Sequence, residues 1–180
     1  MDSENKIIGK YIYLRALTMD DVSEKYCGWL NNPGVNKYLE TRHCTMPELK
    51  KYVRKKIDNP DIIFFGIFEK DTNIHIGNVK LEINREQKKA IFGILIGDKN
   101  YWGRGLGTEA TKLISEYAFI NSDIDEIELG VISDNIVACK AYERAGFKKT
   151  QFRKGAINHD GVVFDAVIMV RKKESFGGAK

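Results

Sequence analysis

The sequence predicts a mixed α/β fold built on one mostly antiparallel sheet. First, "IIFFGIFE", "HIGNVKLEI" and "AIFGILIG", at 62–69, 75–83 and 90–97, predict three strands joined by short polar turns. Second, a long helical stripe and the strand "EIELGVI" (126–132) follow, which is the order of a parallel crossover. Third, two final strands surround "NHDG" at 158–161, a sequence suited to a tight reversal.

The chain before this meander begins with "YIYLRAL" (11–17), whose alternating aromatic and β-branched residues predict a strand. Asp20 and Asp21 are candidate caps of a first helix, which "NNPG" at 31–34 ends. A second helix follows Thr45, a candidate N-cap, because apolar residues then recur four apart.

Two more helices are expected in the second half of the chain. An apolar stripe from Leu106 predicts the long helix, and "SDNIVACKAYERAGF" predicts another, with Ser133 or Asp134 as its cap and Gly146 as its stop. The expected total is about seven strands and about four helices in one domain over residues 1–180, with 174–180 as a flexible tail.

The composition is that of a globular domain and excludes several function classes. The 29 basic and 25 acidic residues are interspersed, so the net charge of +4 forms no basic stripe typical of nucleic-acid binding. No apolar run approaches the roughly 18 residues of a membrane span, and the amino terminus "MDSENKIIGK" is polar, so a cytoplasmic protein is expected. The three cysteines and three histidines show no metal-binding spacing, so we expect neither a metal nor a disulfide framework.

The segment "NYWGRGLGTEAT" (100–111) places three glycines at alternate positions directly before the long helix. Glycine permits the close approach of a ligand, and the N-terminus of a helix offers free N–H groups and partial positive charge to a phosphate. Arg104 adds a cation to this loop. A tight turn that binds nothing is the alternative. A dinucleotide site is less consistent, because the spacing is G-x-G-x-G and the next strand does not end in a ribose-binding acid.

Together, "YWGRGLGTEA" and "SDNIVACKAYERAGF" resemble the two motifs of the GNAT superfamily of acetyl-CoA-dependent N-acetyltransferases, in the branch of the ribosomal-protein amino-terminal acetyltransferases. The resemblance implies a sheet whose central parallel strands splay apart. It also implies transfer of an acetyl group from acetyl-CoA to a primary amine, of a small molecule such as a nucleotide-linked amino sugar or of a protein amino terminus. A non-catalytic acyl-CoA sensor with the same fold is the alternative, and a nucleic-acid module based on "KKYVRKK" is a third hypothesis.

The resemblance also assigns a cofactor site. The main-chain amides of the glycine loop would hold the diphosphate, and the exposed backbone of the strand before it would pair with the pantetheine arm. Trp102 stands where the family usually has arginine or glutamine. The implied cofactor residues are Ile94, Leu95, Ile96, Trp102, Gly103, Arg104, Gly105, Leu106, Gly107, Thr108, Asn135 and Tyr142.

Asn135 and Tyr142 are seven residues apart, two helical turns, and therefore share one face of the predicted helix. The resemblance assigns Asn135 a hydrogen bond to the pantetheine arm and Tyr142 the proton that the departing thiolate takes. A half-buried core tyrosine is the alternative. Cys139 on the same helix is interpreted as a packing residue.

The general base and the acceptor site have weaker signals. Ile91 replaces the glutamate that many relatives carry on this strand, so Glu40 and Glu82 are the first candidates for the base, followed by Asp98. The segment "WLNNPGVNKYLETRH" is expected to bind the acceptor, and its Arg42 suits an anionic acceptor better than a polyamine. The sequence does not choose between a monomer and a homodimer. The predicted acceptor residues are Trp29, Asn32, Tyr38, Arg42 and His43.

Overall fold

The computed structural model describes residues 6–39, 42–159 and 161–173. Within these ranges the chain forms eight strands and five α-helices. The strands are β1 (Ile7–Ile8), β2 (Ile12–Ala16), β3 (Ile62–Glu69), β4 (His75–Asn84), β5 (Lys89–Ile96), β6 (Glu126–Ile132), β7 (Lys148–His159) and β8 (Val162–Lys172). The helices are α1 (Glu24–Asn31), α2 (Pro33–Asn36), α3 (Met46–Ile57), α4 (Leu106–Asn121) and α5 (Ile136–Arg144).

The predicted mixed fold is confirmed, and the counts of about seven strands and about four helices are each one too low. The additional elements are β1, which has two residues, and α2, which has four. Such short elements show no hydrophobic period in a sequence. The predicted tail at 174–180 lies outside the described residues.

All the strands form one sheet in the order β1-β2-β3-β4-β5-β6-β8-β7. Every neighbouring pair is antiparallel except β5 and β6, which are parallel, as the crossover predicts. The parallel pairing covers only Lys89–Ile91 on β5 and Glu126–Glu128 on β6. Beyond it β6 continues to pair with β8 while β5 continues to pair with β4, so the two strands diverge and leave a gap in the middle of the sheet.

Apolar residues cover both faces of the sheet. On one side, here called the α4 face, Leu81 and Phe92 belong to the core that also contains Ile114 of α4. On the other, the α3 face, Phe64 belongs to a second core with Leu49 and Val53 of α3. The sheet is therefore the middle layer of three.

Side-chain caps explain where four of the five α-helices begin, α1, α2, α3 and α5. Thr45 caps α3 as predicted, and Glu48 completes a capping box with it. The predicted caps of α1 and α5 are wrong. Ser23 caps α1, because residues 19–21 form a separate 3-10 turn in which the Asp21 carboxylate binds Arg15 and Thr18.

Asn135, and neither Ser133 nor Asp134, caps α5. The N–H of Ser133 is still bonded to the carbonyl oxygen of Asp165 in the sheet, so the helix starts later than its composition suggests. Gly146 ends it with a φ of +92°, in the left-handed region that favours glycine, as predicted. No helix of the described residues is long and apolar enough to cross a membrane, and these residues hold no cluster of three or more His, Cys, Asp or Glu side chains that could bind a metal.

Candidate active site

The gap between β5 and β6 exposes main-chain groups of β5. Successive residues of a strand direct their main-chain hydrogen-bonding groups to opposite sides, and two bonds show which side each residue of β5 uses. The carbonyl oxygen of Lys88 accepts a hydrogen bond from the β6 side, and the N–H of Gly97 donates one to β4. The main-chain groups of the even-numbered residues of β5 therefore point towards β6. Ile94 and Ile96 accordingly direct their N–H and carbonyl groups into the gap. Leu95 directs its main chain to β4, opposite Asn78. Of the three residues expected to pair with a pantetheine arm, two are thus placed to do so and Leu95 is not.

The glycine loop leads directly into α4 at one end of this gap. Gly103 and Gly105 have φ values of +71° and +78°, and Gly105 is the N-cap of α4. A Cβ at either position would meet no atom within 4 Å, so the space beside the loop is open. The N–H groups of Leu106, Gly107 and Thr108 are in the first turn and have no intrahelical acceptors. The loop therefore has the open space and the free main-chain donors of a candidate anion site.

The side chains of Trp102, Thr108 and Arg104, in and next to the loop, contact neighbouring residues. Trp102 donates its indole N–H to the carbonyl oxygen of Ile96 at 2.7 Å, and the Thr108 hydroxyl is 3.4 Å from the carbonyl oxygen of Ala141 in α5. The Arg104 guanidinium lies over the ring of Tyr101, 5.1 Å from its centroid, and is exposed to solvent. The guanidinium is thus available to bind a negatively charged group of a ligand in addition to the one at the start of α4.

Helix α5 places Tyr142 beside the splayed part of β5. Its ring contacts Phe92 edge-on, with centroids 5.8 Å apart, and also packs near Phe147. Among the described residues its hydroxyl has no hydrogen-bond partner. Burial raises the pKa of this hydroxyl, with a smaller contribution from Cys139, so the phenol is protonated at neutral pH.

Two other side chains at the start of α5 and within it are those of Asn135, which forms a hydrogen bond, and Cys139, which is buried. The Asn135 Oδ1 accepts a hydrogen bond from the N–H of Ala138 at 3.3 Å, which leaves its amide NH₂ for a ligand. Cys139 is buried, and burial raises the pKa of its thiol, which fits the predicted packing role.

A cavity of about 640 Å³ opens on the α3 face of the sheet, next to the same part of β5. Its walls come from α1, the loop before α3, α3 itself and the sheet. The lining residues are Tyr26, Leu30, Leu39, His43, Cys44, Glu48, Leu49, Tyr52, Lys56, Phe64, Asn78, Lys80, Glu82, Gly93, Ile94 and Leu95.

Of the five predicted acceptor residues, only His43 lines this cavity. Trp29 is buried against His75, with ring centroids 5.1 Å apart. The Asn32 side chain caps α2 by accepting a hydrogen bond from Gly34.

The other two predicted acceptor residues lie near the cavity but do not line it. Lys37 places its ammonium over the ring of Tyr38, 4.9 Å from the centroid. Arg42 contacts the tip of β7, where its Nη2 lies 2.9 Å from Nδ1 of His159. The β7–β8 hairpin therefore reaches the loop that precedes α3.

The candidates for the general base have different fates. Glu40 lies outside the described residues. Asp98 forms an ion pair with Lys25 at 2.9 Å. Glu82 lines the cavity, but its Oε1 accepts hydrogen bonds from Lys56 at 2.7 Å and Lys80 at 2.6 Å. These bonds, that of Lys56 first, lower the pKa of Glu82 and make it a weaker base than a free glutamate.

Sequence reasoning missed Asn78, Lys80 and Lys56 as cavity residues. The signal in β4 was the alternation of "NVKLEI", in which every second residue is polar. Such a pattern ordinarily indicates a face exposed to solvent. Here α1 and α3 cover that face, and the polar side chains line a cavity instead.

Comparisons with known proteins agree with this geometry. Residues 12–148 match the family model described as an acetyltransferase (GNAT) domain. The chain is 28% identical over 169 residues to the probable N-acetyltransferase YjcK of Bacillus subtilis, covering 89% of this chain and 93% of YjcK. The fold is similar to the RimL ribosomal L7/L12 acetyltransferase solved with coenzyme A (TM-score 0.85, 18% identity, 93% and 98% coverage). It is also similar to the spermidine N-acetyltransferase of Vibrio cholerae solved with CoA and spermine (TM-score 0.84, 24% identity, 92% and 98% coverage).

Proposed function

The chain belongs to the GNAT acetyltransferase family, and we propose that it transfers the acetyl group of acetyl-CoA to a primary amine by direct attack. The observation that supports this proposal most strongly is the gap between β5 and β6. It joins the anion site at the start of α4, on one face of the sheet, to the cavity on the other face. Such a gap suits an extended cofactor whose diphosphate and thioester ends are far apart.

Acetyl-CoA supplies the activated acetyl group, and the described residues provide the groups to hold it. The diphosphate would accept hydrogen bonds from the first N–H groups of α4, assisted by Arg104. The pantetheine arm would pair with the main chain of Ile94, in the way that a strand joins a sheet, since the carbonyl oxygen of Ile96 is already bonded to Trp102. The amide NH₂ of Asn135, which has no partner among the described residues, would be a further donor to the arm.

The thioester carbonyl then requires a donor for the negative charge that develops when the amine attacks. A main-chain N–H aimed at that oxygen contributes a few kcal/mol, about 2.7–4 in measured oxyanion sites. Of the neighbouring residues Leu95 and Ile96 on β5, Ile96 directs its N–H into the gap, whereas Leu95 does not.

Tyr142 is the proposed general acid. Its phenol is protonated, has no partner among the described residues and packs beside the splayed strand. A thiolate that leaves into this poorly hydrated region is also a stronger base than it is in water, which offsets the raised pKa of the phenol.

The remaining step is the removal of a proton from the attacking amine. An alkylammonium has a pKa of about 10, so the reactive neutral form is scarce at neutral pH. Because its two lysine contacts make Glu82 a weak base, we propose that the proton leaves through cavity water.

The test is the release of coenzyme A from acetyl-CoA in the presence of a panel of amines. Tyr142→Phe should lower kcat by about 10²–10⁴-fold, the usual contribution of a general acid, and keep the affinity for acetyl-CoA. Tyr117→Phe, in another tyrosine packed against the α4-face core, is the control and should be near wild type. Binding of acetyl-CoA with no release on any amine would instead show a sensor.

A further inference from the structure

The described side chains that line the cavity carry an excess of positive charge. Lys56 and Lys80 share the single oxygen Oε1 of Glu82, at 2.7 and 2.6 Å. Both ammonium groups also lie near the ring of Tyr52, 5.8 and 6.0 Å from its centroid. Two cations are thus held together against one carboxylate.

These lysines are partly buried, which increases the strength of their interactions. The side chains of Lys56 and Lys80 are 17% and 29% exposed. Burial alone would lower the pKa of Lys80, but its bonds to Glu82 and Tyr52 outweigh this and raise it, so Lys80 is charged. The other carboxylate of the lining, Glu48, is committed to the cap of α3, where its Oε2 accepts from the N–H and hydroxyl of Thr45 at 2.8 and 2.7 Å.

A second observation concerns Asn78, which precedes Lys80 on the same face of β4. Asn78 is 4% exposed and lines the cavity, and its Nδ2 has no hydrogen-bond partner among the described residues. The orientation of the amide follows from His75, whose Nε2 lies 2.9 Å from both the Gly77 carbonyl oxygen and Asn78 Oδ1. Since Nε2 must donate to the Gly77 carbonyl, the atom of Asn78 beside it is the oxygen, and the NH₂ is left free.

From these observations we propose that the acceptor amine carries an anionic oxygen group, a phosphate or a carboxylate, that binds to Lys80 and Lys56. Asn78 Nδ2 lies on the same wall as a donor for a further acceptor oxygen. A polyamine has only cations to offer, and the two ammonium groups would repel it. This inference rests on the proposed function, because it names the substrate class of the same cavity.

Two matched pairs of amines test the proposal and distinguish the two anions. Release of coenzyme A is compared for glucosamine 6-phosphate and glucosamine, for glycylglycine and glycylglycinamide, and for spermidine. The wild type should favour an anionic member over its neutral partner at least about tenfold in kcat/KM, through a lower KM, and should use spermidine least. An equal or reversed preference in both pairs, or a preference for spermidine, overturns the proposal.

Variants test whether the preference for anionic amines depends on Lys80 and Lys56. Lys80→Met keeps the length of the side chain and should remove most of the preference, because Lys56 and Glu82 then neutralise each other. Lys89→Met is the control, since Lys89 pairs with Glu126 outside the cavity and should leave the preference unchanged. If Lys80→Met does not fold, Lys56→Met replaces it. The same loss in the Lys89 variant would contradict the assignment.

A binding measurement separates this inference from the proposed function. With the cofactor site saturated by coenzyme A, inorganic phosphate is titrated into wild type and Lys80→Met in a calorimeter. Phosphate should bind to the wild type and bind at least about tenfold more weakly to the variant. If this holds while no amine is acetylated, the anion site stands and the proposed function fails. If phosphate does not bind and the neutral amines are acetylated as well as the anionic ones, only the anion site fails.

Discussion

The indole N–H of Trp102 lies 2.7 Å from the carbonyl oxygen of Ile96, and this hydrogen bond ties the glycine loop to the splayed end of β5. The loop and the strand are the two parts of the proposed cofactor site. The bond also occupies one of the main-chain acceptors that face the gap.

Trp102→Phe tests the importance of that bond. A hydrogen bond of this kind contributes about 1 kcal/mol, so the Kd for coenzyme A should rise about fivefold. The thermal stability should change little, because the Trp102 side chain is 45% exposed. An unchanged Kd in calorimetry would show that the bond does not position the loop.

Gly105→Ala tests the anion site at the start of α4. An alanine at a φ of +78° is strained by about 1–2 kcal/mol, and its methyl group points into the open space beside the loop. Both the thermal stability and the affinity for coenzyme A should fall, the affinity at least tenfold. Gly161→Ala is the matched control, because Gly161 has a φ of +85° and open space in a distant turn. It should lose similar stability and keep wild-type affinity; a similar fall in affinity in both variants would contradict the site.

The buried His75 predicts how stability depends on pH. Burial lowers the pKa of this imidazole in the folded protein, whereas the unfolded chain has the ordinary value of about 6.5. The unfolded state therefore binds more protons as the pH falls below about 6.5, and the free energy of unfolding should decrease by up to about 1.4 kcal/mol per pH unit. Urea unfolding between pH 7.5 and 5 measures this slope. His75→Phe should flatten the slope, although it also removes the bond to Asn78; the same slope in that variant would assign it to other groups.

Glu82→Gln distinguishes a counter-ion from a general base. A general base contributes about 10²–10⁴-fold, and its loss would remove the corresponding acid limb from the pH profile of kcat/KM. We expect less than a tenfold fall on the best substrate and an acid limb that persists, because the hydrogen bonds from Lys56 and Lys80 lower the pKa of Glu82 and make it a weak base. A fall of 10²-fold or more together with the loss of that limb would identify Glu82 as the base.

The local signals in the sequence predicted most of the fold. The meander of β3 to β5, the parallel crossover to β6 and the glycine stop at Gly146 follow from hydrophobic period and turn chemistry, and the structure confirms them. The start of α5 was missed because a hydrogen bond from Ser133 to β8 delays it, and such tertiary contacts leave no local signal.

The candidate site was less predictable for a similar reason. The cavity depends on which helix covers which face of β4, and neither the burial of Trp29 nor the pairing of Lys56 with Glu82 is encoded in a local pattern. The glycine loop was recognisable because its proposed function uses main-chain groups, which three spaced glycines make evident.

The most direct test of the central claim is a crystal structure of the protein with coenzyme A. The diphosphate should lie within hydrogen-bonding distance of the main-chain N–H groups of Leu106, Gly107 and Thr108. The pantetheine arm should lie in the gap beside Ile94, with its sulfur near the Tyr142 hydroxyl. A cofactor bound elsewhere, or a glycine loop without the diphosphate in crystals where coenzyme A is present, would contradict it.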